Sequence, residues 1–379
     1  MTYNKAKDFA SAKRIVVKIG SGVLTEDNGL NIKAIMSISE QICSLMNKGL
    51  EVIIVSSGAM ASGTKKIGLP KRPEDIPGRQ AVAAVGQAGL ILEYEKAFVQ
   101  HNKKVAQILL TGEDLSHRTR YLNARNVMLK LLSWGVVPII NENDTVAVEE
   151  IKFGDNDNLS ASITLLMDAD ILINLTDIDG FYDKDPRQFS DAKLISVVSE
   201  INKTTKKMAS AIPGALGAGG MLSKIRAAQK VTASGIPMII AKGREPHILF
   251  KLFANETYGT FFIPKEKKMA LRKCWLAFTA KPRGIIRIDD GAAVAILKKG
   301  KSLLPSGIIG VEGDFNVGAP VEFATVKDVL GTGLVNYSAA DIRKIMGLKS
   351  SEIKGLIGCK PYDEVIHRDN LAITSECEV

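Results

Sequence analysis

Two runs of short acidic and amide side chains lie close together near the middle of the chain: residues 141–144, Asn-Glu-Asn-Asp, and residues 154–160, Gly-Asp-Asn-Asp-Asn-Leu-Ser. A surface turn needs one Asx-Gly pair, whereas these runs offer several groups that can bind an ammonium group, a carboxylate or metal-bound phosphate. The strand-like stretch 135–140 leads into the first run, and α/β proteins place polar sites at the carboxyl ends of strands. We therefore interpret the two runs as a polar site rather than as a solvated turn.

Lys18 is a second candidate for chemistry because it lies inside an apolar, β-branched stretch, 14–19, that ends in the glycine turn Gly20-Ser21-Gly22. Such a stretch predicts a buried strand whose carboxyl edge offers backbone N–H groups to a ligand. A buried lysine needs an anionic partner, and a phosphate in the glycine turn would supply one. The alternative is an edge-strand lysine that points to water, which the adjacent glycine turn disfavours.

A third candidate is the glycine pair Gly219-Gly220, which leads into the helix-like stretch 223–233 with Lys224 in its first turn. The N-terminus of a helix attracts anions through its unpaired N–H groups and its dipole. A flexible surface loop is the other interpretation, and this segment alone does not decide between the two.

The elements that must position these residues alternate along the chain. Strand-like runs occur at 14–19, 51–55, 106–110, 135–140, 169–177 and 237–241, and helical patterns occur at 32–47, 80–99, 123–132 and 223–233. Repeated strand–helix units predict an α/β sandwich with a mostly parallel sheet. Residues 65–79 contain three prolines and predict a long loop, which we interpret as a candidate lid.

The pattern changes near residue 265. Short runs typical of β-strands follow, punctuated by glycine turns, at 284–288, 292–297, 307–311, 319–323 and 331–335. They predict a small second domain resembling a β-barrel. We divide the chain into a catalytic domain at 1–265, a linker at 266–279, the β domain at 280–360 and a C-terminal tail at 361–379.

Composition narrows the class of protein. Hydrophobic residues at 46% and charged residues at 24% are typical of a globular protein and argue against a disordered one. No apolar run reaches the roughly 18 residues that a membrane span needs, and the polar N-terminus lacks the apolar core of a signal peptide, so the cytoplasm is the expected location.

The four cysteines and four histidines are scattered, so neither a zinc site nor a disulfide framework is visible. The formal net charge of +9 is compatible with an anionic partner, either a nucleic acid or a phosphorylated small molecule.

Taken together, these stretches resemble the glutamate 5-kinase family, in which an amino-acid kinase three-layer sandwich precedes a PUA domain. The resemblance covers nearly the whole chain. It is carried by residues 16–21, 55–59, 83–87, 122–125, 138–144, 154–160, 175–177, Tyr182 with 185–187, and 219–221 with Lys224.

The resemblance implies ATP-dependent phosphorylation of the γ-carboxylate of L-glutamate to L-glutamyl 5-phosphate, the first step of proline biosynthesis. The acceptor carboxylate is ionised at neutral pH, so the reaction needs no general base. Magnesium would be bound mainly by the nucleotide phosphates, without direct protein ligands. Two alternatives stay open: an RNA-binding or RNA-modifying PUA protein, and a related kinase acting on another acidic amino acid.

The family's residue roles carry over to matching positions. Lys18 and Lys224 would neutralise charge on the transferring phosphoryl group, and Asp157 would orient them. The residues that would hold glutamate are Ser57, Asp144 and Asn156. Asp144 would bind the amino group of glutamate. The residues that would contact ATP are Lys18, Thr176, Asp177, Ala218, Gly219, Gly220, Met221, Leu222, Ser223 and Lys224.

The chain departs from the family pattern in the nucleotide loop. Ala218 occupies a position where the family often has threonine, which removes one hydroxyl contact and leaves the backbone cradle intact. The resemblance further implies proline as a feedback inhibitor, a homo-oligomer, either tetramer or dimer, and glutamyl-phosphate reductase as a partner. RNA and membranes are not expected partners.

Overall fold

The computed structural model describes residues 5–26, 29–147, 156–212, 220–266, 268–357 and 361–373. The chain forms two compact units, one of Met1–Leu115 with Thr119–Lys268 and one of Ser116–Arg118 with Met269–Val379. Within the described ranges, no helix combines the length and the hydropathy that a membrane span requires.

The larger unit is built on an eight-stranded sheet. Its strands and those of a small two-stranded ribbon, β2 with β3, are β1 Arg14–Ile19, β2 Thr25–Glu26, β3 Gly29–Leu30, β4 Glu51–Ser56, β5 Lys104–Leu110, β6 Val136–Glu142, β7 Ile171–Thr176, β8 Val197–Val198, β9 Met238–Lys242 and β10 Thr260–Phe262. The order in the sheet is β5-β6-β4-β1-β7-β9-β10-β8, and all neighbours pair in parallel except β9 with β10. The prediction of an α/β fold with a mostly parallel sheet is therefore confirmed.

Helices connect these strands. They are Lys5–Ser11, Ser21–Leu24, Ile32–Asn47, Ala59–Ile67, Ile76–Val99, Gly112–Ser116, Arg118–Ser133, Asn156–Leu166, Lys203–Ser210, Met221–Ala233 and Ile248–Phe253. The strands β1, β4 and β7 are buried over almost their whole length, as expected for a parallel sheet packed between helices.

The predicted loop at 65–79 is too long. The helix Ala59–Ile67 continues through Lys65 and Lys66, and the next helix begins at Ile76. The side chain of Asp75 caps that second helix by accepting a hydrogen bond from the Gly78 amide at 2.7 Å, and a proline in the first turn is compatible with helix. The connecting segment is therefore only residues 68–75.

The strand order brings the candidate residues to one edge. β1 lies between β4 and β7, with Lys18 opposite Val55 and Asn174 in the register. Because parallel strands end at the same edge of a sheet, the segments after β1, β4, β6 and β7 lie next to one another there.

The smaller unit contains a five-stranded sheet. Its strands are β11 Gly284–Ile288, β12 Ile308–Gly313, β13 Pro320–Ala324, β14 Val329–Leu334 and β15 Leu371–Ile373, in the order β12-β11-β13-β14-β15. Its helices are Leu271–Phe278, Asp290–Lys299, Ala339–Ile345 and Ile353–Ile357, with 3-10 turns at Pro305–Gly307, Ser350–Glu352 and Arg368–Asn370. One helix thus lies in the stretch we assigned to the linker, and β15 lies in the stretch we assigned to the tail.

The predicted strand at 292–297 is wrong, because these residues belong to the helix Asp290–Lys299. Asp289 caps the helix through the amide of Ala292 at 2.6 Å, and Gly300, with φ of 58°, ends it. The buried residues Ala293 and Ile296 are three apart, which is helical spacing. The apolar run is short enough to fit the period of a strand or that of a helix, and the capping residues at its two ends favour the helix.

Candidate active site

Asp157 lies at the centre of a buried polar cluster. It occupies the first turn of the helix Asn156–Leu166 and is 2% exposed. The ammonium group of Lys18, on β1, lies 2.6 Å from Asp157 Oδ1, and that of Lys224 lies 3.1 Å from Oδ2. The structure therefore brings together the three residues predicted to be catalytic.

Two neutral donors complete the hydrogen bonding of the same carboxylate. Asn174 Nδ2 donates to Asp157 Oδ1 at 2.8 Å, and Ser223 Oγ donates to Oδ2 at 2.6 Å. Burial alone would raise the pKa of Asp157, but the charges of Lys18 and Lys224 and these hydrogen bonds outweigh it and hold the pKa well below its usual range. The carboxylate is ionised at neutral pH, and two ammonium groups facing one carboxylate leave this trio with an excess of positive charge.

The groups that already contact Asp157 decide whether it can bind Mg²⁺ directly. Each oxygen of Asp157 already accepts one ammonium contact and one neutral hydrogen bond, so the carboxylate does not fit as a direct ligand of Mg²⁺. It fits instead as the group that fixes the positions of Lys18 and Lys224.

Lys224 and Ser223 reach the cluster from the first turn of the helix Met221–Ala233. Gly220 precedes that helix in an extended conformation and has no side chain to cap it. The Met221 amide donates to Ile212 O at 3.3 Å, and the Ser223 amide donates to Gly220 O at 3.2 Å. The N-terminal end of a helix favours an anion. Of the other predicted ATP contacts in this loop, Met221 is buried and Leu222 is half-buried, whereas Ala218 and Gly219 lie outside the described residues.

The turn after β1 meets the end of β7. The Gly20 amide donates to Leu175 O at 2.9 Å, and a Cβ at Gly22 would lie only 2.8 Å from the Cβ of Asp177, so glycine permits this approach. Thr176 Oγ1 donates to Asp177 Oδ1 at 2.9 Å. The predicted ATP-contacting pair Thr176 and Asp177 is therefore on the same sheet edge as Lys18.

A cavity of about 580 Å³ opens at the ends of β4 and β6. Its lining includes the three predicted glutamate-binding residues, Ser57, Asp144 and Asn156, together with Asn141 and Arg72. Gly154 and Asp155 of the second polar run lie outside the described residues.

Asn156 joins the walls of this cavity. Its Nδ2 has two N–H groups to share among three acceptors, Ser57 Oγ at 2.9 Å, Asn141 Oδ1 at 3.1 Å and the carbonyl of Ser56 at 3.2 Å. These three oxygens fix the orientation of the amide. Its Oδ1 is buried and has no hydrogen-bond partner among the described residues, which is unusual for a buried acceptor and marks a position where a donor from a ligand would be favourable.

The pKa of Asp144 is shifted in the opposite direction to that of Asp157. Burial raises the pKa of Asp144 to about 6, and the guanidinium of Arg72 only partly opposes the shift. A cationic ligand beside this carboxylate would stabilise its ionised form.

Three of these site residues were not assigned by the sequence. Asn141 was part of the first polar run, but no role was given to it. Asn174 had a detectable signal, a polar residue in the apolar strand Ile171–Thr176. Arg72 had none, because nothing in a loop sequence indicates which cavity its side chain lines.

Comparison with known proteins assigns the class. Residues 13–242 match the model of the amino acid kinase family, and residues 284–357 match the PUA domain. The fold and this match define a kinase.

Curated relatives narrow the class further. The chain is 50% identical over 374 residues to the glutamate 5-kinase of Syntrophus aciditrophicus, covering 98% of this chain and 97% of the relative. It is 50% identical over 367 residues to that of Geobacter sulfurreducens, covering 96% and 98%. A crystal structure of UMP kinase from Bacillus anthracis aligns with a TM-score of 0.45 at 17% identity, over 67% of this chain and 97% of that one. The chain belongs to the glutamate 5-kinase group of the amino acid kinase family.

Proposed function

We propose that this protein transfers the γ-phosphoryl group of ATP to the γ-carboxylate of L-glutamate and so forms L-glutamyl 5-phosphate, the first step of proline biosynthesis. The observation that carries the proposal is the Lys18–Asp157–Lys224 cluster, buried beside a cavity that Ser57, Asp144 and Asn156 line. The names of the nearly full-length relatives support the same activity.

The catalytic roles follow from charge and geometry. Charge in phosphoryl transfer spreads over the oxygens of the transferring group, so positioned cations supply most of the catalysis. Lys18 and Lys224 provide two such cations, and Asp157 keeps both in place because one of its oxygens contacts each lysine. No general base is required, because the acceptor carboxylate is already ionised.

The amino-acid end of the substrate binds in the cavity. Asp144 and Asn156 Oδ1, which accepts no hydrogen bond from the part of the chain that the structure describes, are acceptors for the α-ammonium group of glutamate. Ser57 is held by Asn156 at 2.9 Å and orients the substrate. A ligand whose α-amine is acylated cannot donate to these acceptors as an ammonium group, which favours glutamate over N-acetylglutamate.

ATP supplies the phosphoryl group and carries magnesium as it binds. Thr176 and Asp177 contact the nucleotide from the end of β7. Gly220 and the helix N-terminus Met221–Lys224 would contact it from the other side, and we assign Ala218 and Gly219 to the same role from the sequence.

Regulation and assembly are further parts of the proposal. Proline shares the α-carboxylate of glutamate and carries a secondary ammonium group at the same carbon, which supports a role as feedback inhibitor. We also propose a homo-oligomer, a cytoplasmic location and transfer of the labile product to glutamyl-phosphate reductase; the membership of the family supports each of these.

The test is ADP release with L-glutamate, L-aspartate, N-acetyl-L-glutamate or UMP as acceptor, with hydroxylamine present to trap any acyl phosphate as a hydroxamate. The expected result is a hydroxamate that forms only with L-glutamate and less rapidly when proline is added. Product from another acceptor, or salt-sensitive RNA binding without any turnover, would contradict the assignment.

A further inference from the structure

A second buried lysine lies on the helix that carries Lys224. Lys230 is only 6% exposed, although lysine is among the residues least often buried. Its ammonium group donates to Ser162 Oγ at 2.7 Å and to Asn158 Oδ1 at 3.2 Å. Both acceptors belong to the neighbouring helix, Asn156–Leu166.

The position of Lys230 relates it to the catalytic cluster. Asn158 follows Asp157 directly, and Lys230 follows Lys224 by six residues, which corresponds to about 9 Å along a helix. The two helices are therefore joined by polar contacts at two levels: Ser223 and Lys224 with Asp157 at one level, and Lys230 with Asn158 and Ser162 at the other.

Polar contacts at two levels restrict rotation and sliding of the two helices more than contacts at one level do. The contacts of Ser223 and Lys224 with Asp157 fix the two helices relative to each other at one level only. Directed hydrogen bonds at a second level fix rotation and sliding, whereas an apolar side chain of similar volume would fill the space without selecting one register. An apolar side chain would also avoid the desolvation of a buried ammonium group, so packing alone does not account for lysine at this position.

We propose that Lys230 is a positioning residue that holds the helix of Asp157 in register with the helix of Lys224. It does not contact substrate. Its contribution is to keep the 3.1 Å contact between Lys224 and Asp157 while charge develops on the transferring phosphoryl group. The inference rests on the proposed function, because it assigns the aligned lysine to phosphoryl transfer.

The substitution Lys230→Met tests the inference, because methionine retains an unbranched side chain and removes the charge and the donors. We expect kcat to fall about tenfold while the KM values for glutamate and ATP stay within about twofold, since an interaction realised in the transition state affects kcat. The control is Arg226→Met, which removes a cation from an exposed position of the same helix and should leave kcat unchanged.

A partner variant separates positioning from stability. Ser162→Ala removes one acceptor and retains Lys230, so it should lower kcat in the same direction but less, and the double variant should lose no more than Lys230→Met alone. If Lys230→Met does not fold, Ser162→Ala decides the question by its own kcat. Normal kcat in a folded variant with a reduced melting temperature overturns the inference and leaves Lys230 a structural residue. Failure of the proposed function is distinguishable, because the wild-type enzyme would then form no glutamyl hydroxamate.

Discussion

The two carboxylates of the candidate site, Asp157 and Asp144, differ in almost every physical respect. Asp157 is surrounded by two ammonium groups and two neutral donors, and its pKa lies well below the usual range. Asp144 lines a cavity, and burial raises its pKa to about 6. The comparison shows that the charge of Asp157 is balanced by groups of the protein itself, whereas Asp144 has no such pair of ammonium groups beside it among the described residues and opens to a cavity.

The largest effect should follow Asp157→Asn. The variant keeps the shape of the side chain but leaves Lys18 and Lys224 without its charge. We expect kcat to fall by about a thousandfold or more, in line with the loss of preorganised electrostatic stabilisation. We also expect a loss of about 3–5 kcal/mol in the free energy of unfolding, typical when one member of a buried ion pair is removed. Hydroxamate assays and urea unfolding measure the two effects, and near-normal values in both would show that the cluster is not preorganised by this carboxylate.

Asp144→Asn should affect binding rather than turnover. If Asp144 receives the α-ammonium group of glutamate, KM for glutamate should rise about ten- to a hundredfold, equivalent to ~1.4–2.7 kcal/mol, while kcat falls only slightly. The matched substrate experiment uses a glutamate analogue without the α-amine, against which wild type and variant should differ little. An unchanged KM for glutamate would place the ammonium group elsewhere.

The pH dependence of kcat/KM and of kcat should distinguish Asp144 from Asp157. Asp144 in the free enzyme gains a proton as the pH falls through about 6, so kcat/KM for glutamate should decrease below that pH at saturating Mg·ATP. Asp157 stays ionised there because its pKa is well below the usual range, so kcat should remain flat down to about pH 5. Asp144→Asn should remove the decrease in kcat/KM. A fall in kcat with the same midpoint would mean that the catalytic cluster itself titrates.

The smallest effect is expected at Asn174, which lies fully buried and whose Oδ1 has no hydrogen-bond partner within the described ranges. Asn174→Leu removes the hydrogen bond to Asp157 and also that unsatisfied oxygen, so the free energy of unfolding should change by no more than about 1 kcal/mol and kcat should fall about threefold. Asn174→Asp is the matched comparison. It puts a second carboxyl group beside Asp157 and should reduce kcat far more, because like charges in contact resist joint ionisation. Equal effects of the two substitutions would remove Asn174 from the account.

The fold was predictable from the sequence where periodicity and chain punctuation agree. The helix Ile32–Asn47 was predicted at the bounds the structure shows, because its helical pattern is closed by Lys48 and Gly49. The structure adds the N-terminal cap, in which Asn31 Oδ1 accepts from the Ala34 amide. The helix Asp290–Lys299 was missed, since a short apolar run fits both the strand period and the helix period when its caps are overlooked.

The site was predictable only through its motifs. The residues around Lys18 indicate only that it needs an anion, for which a phosphate was one candidate. The family resemblance supplied Asp157, and the structure shows its carboxylate at 2.6 Å. The contact joins residues 139 positions apart, and local patterns do not encode which of several carboxylates completes such a pair. The same holds for Asn174, whose role depends on its register opposite Lys18.

The central claim is that the Lys18–Asp157–Lys224 cluster acts on the transferring phosphoryl group, and Lys224→Met tests it most directly. The account predicts that kcat falls at least a hundredfold while KM for glutamate changes less than about threefold, because the interaction strengthens in the transition state. Lys268→Met is the control, since Lys268 pairs with Asp168 at 2.8 Å with both side chains nearly half exposed, and it should behave as wild type. A folded Lys224→Met enzyme with turnover close to that of the wild type would contradict the claim.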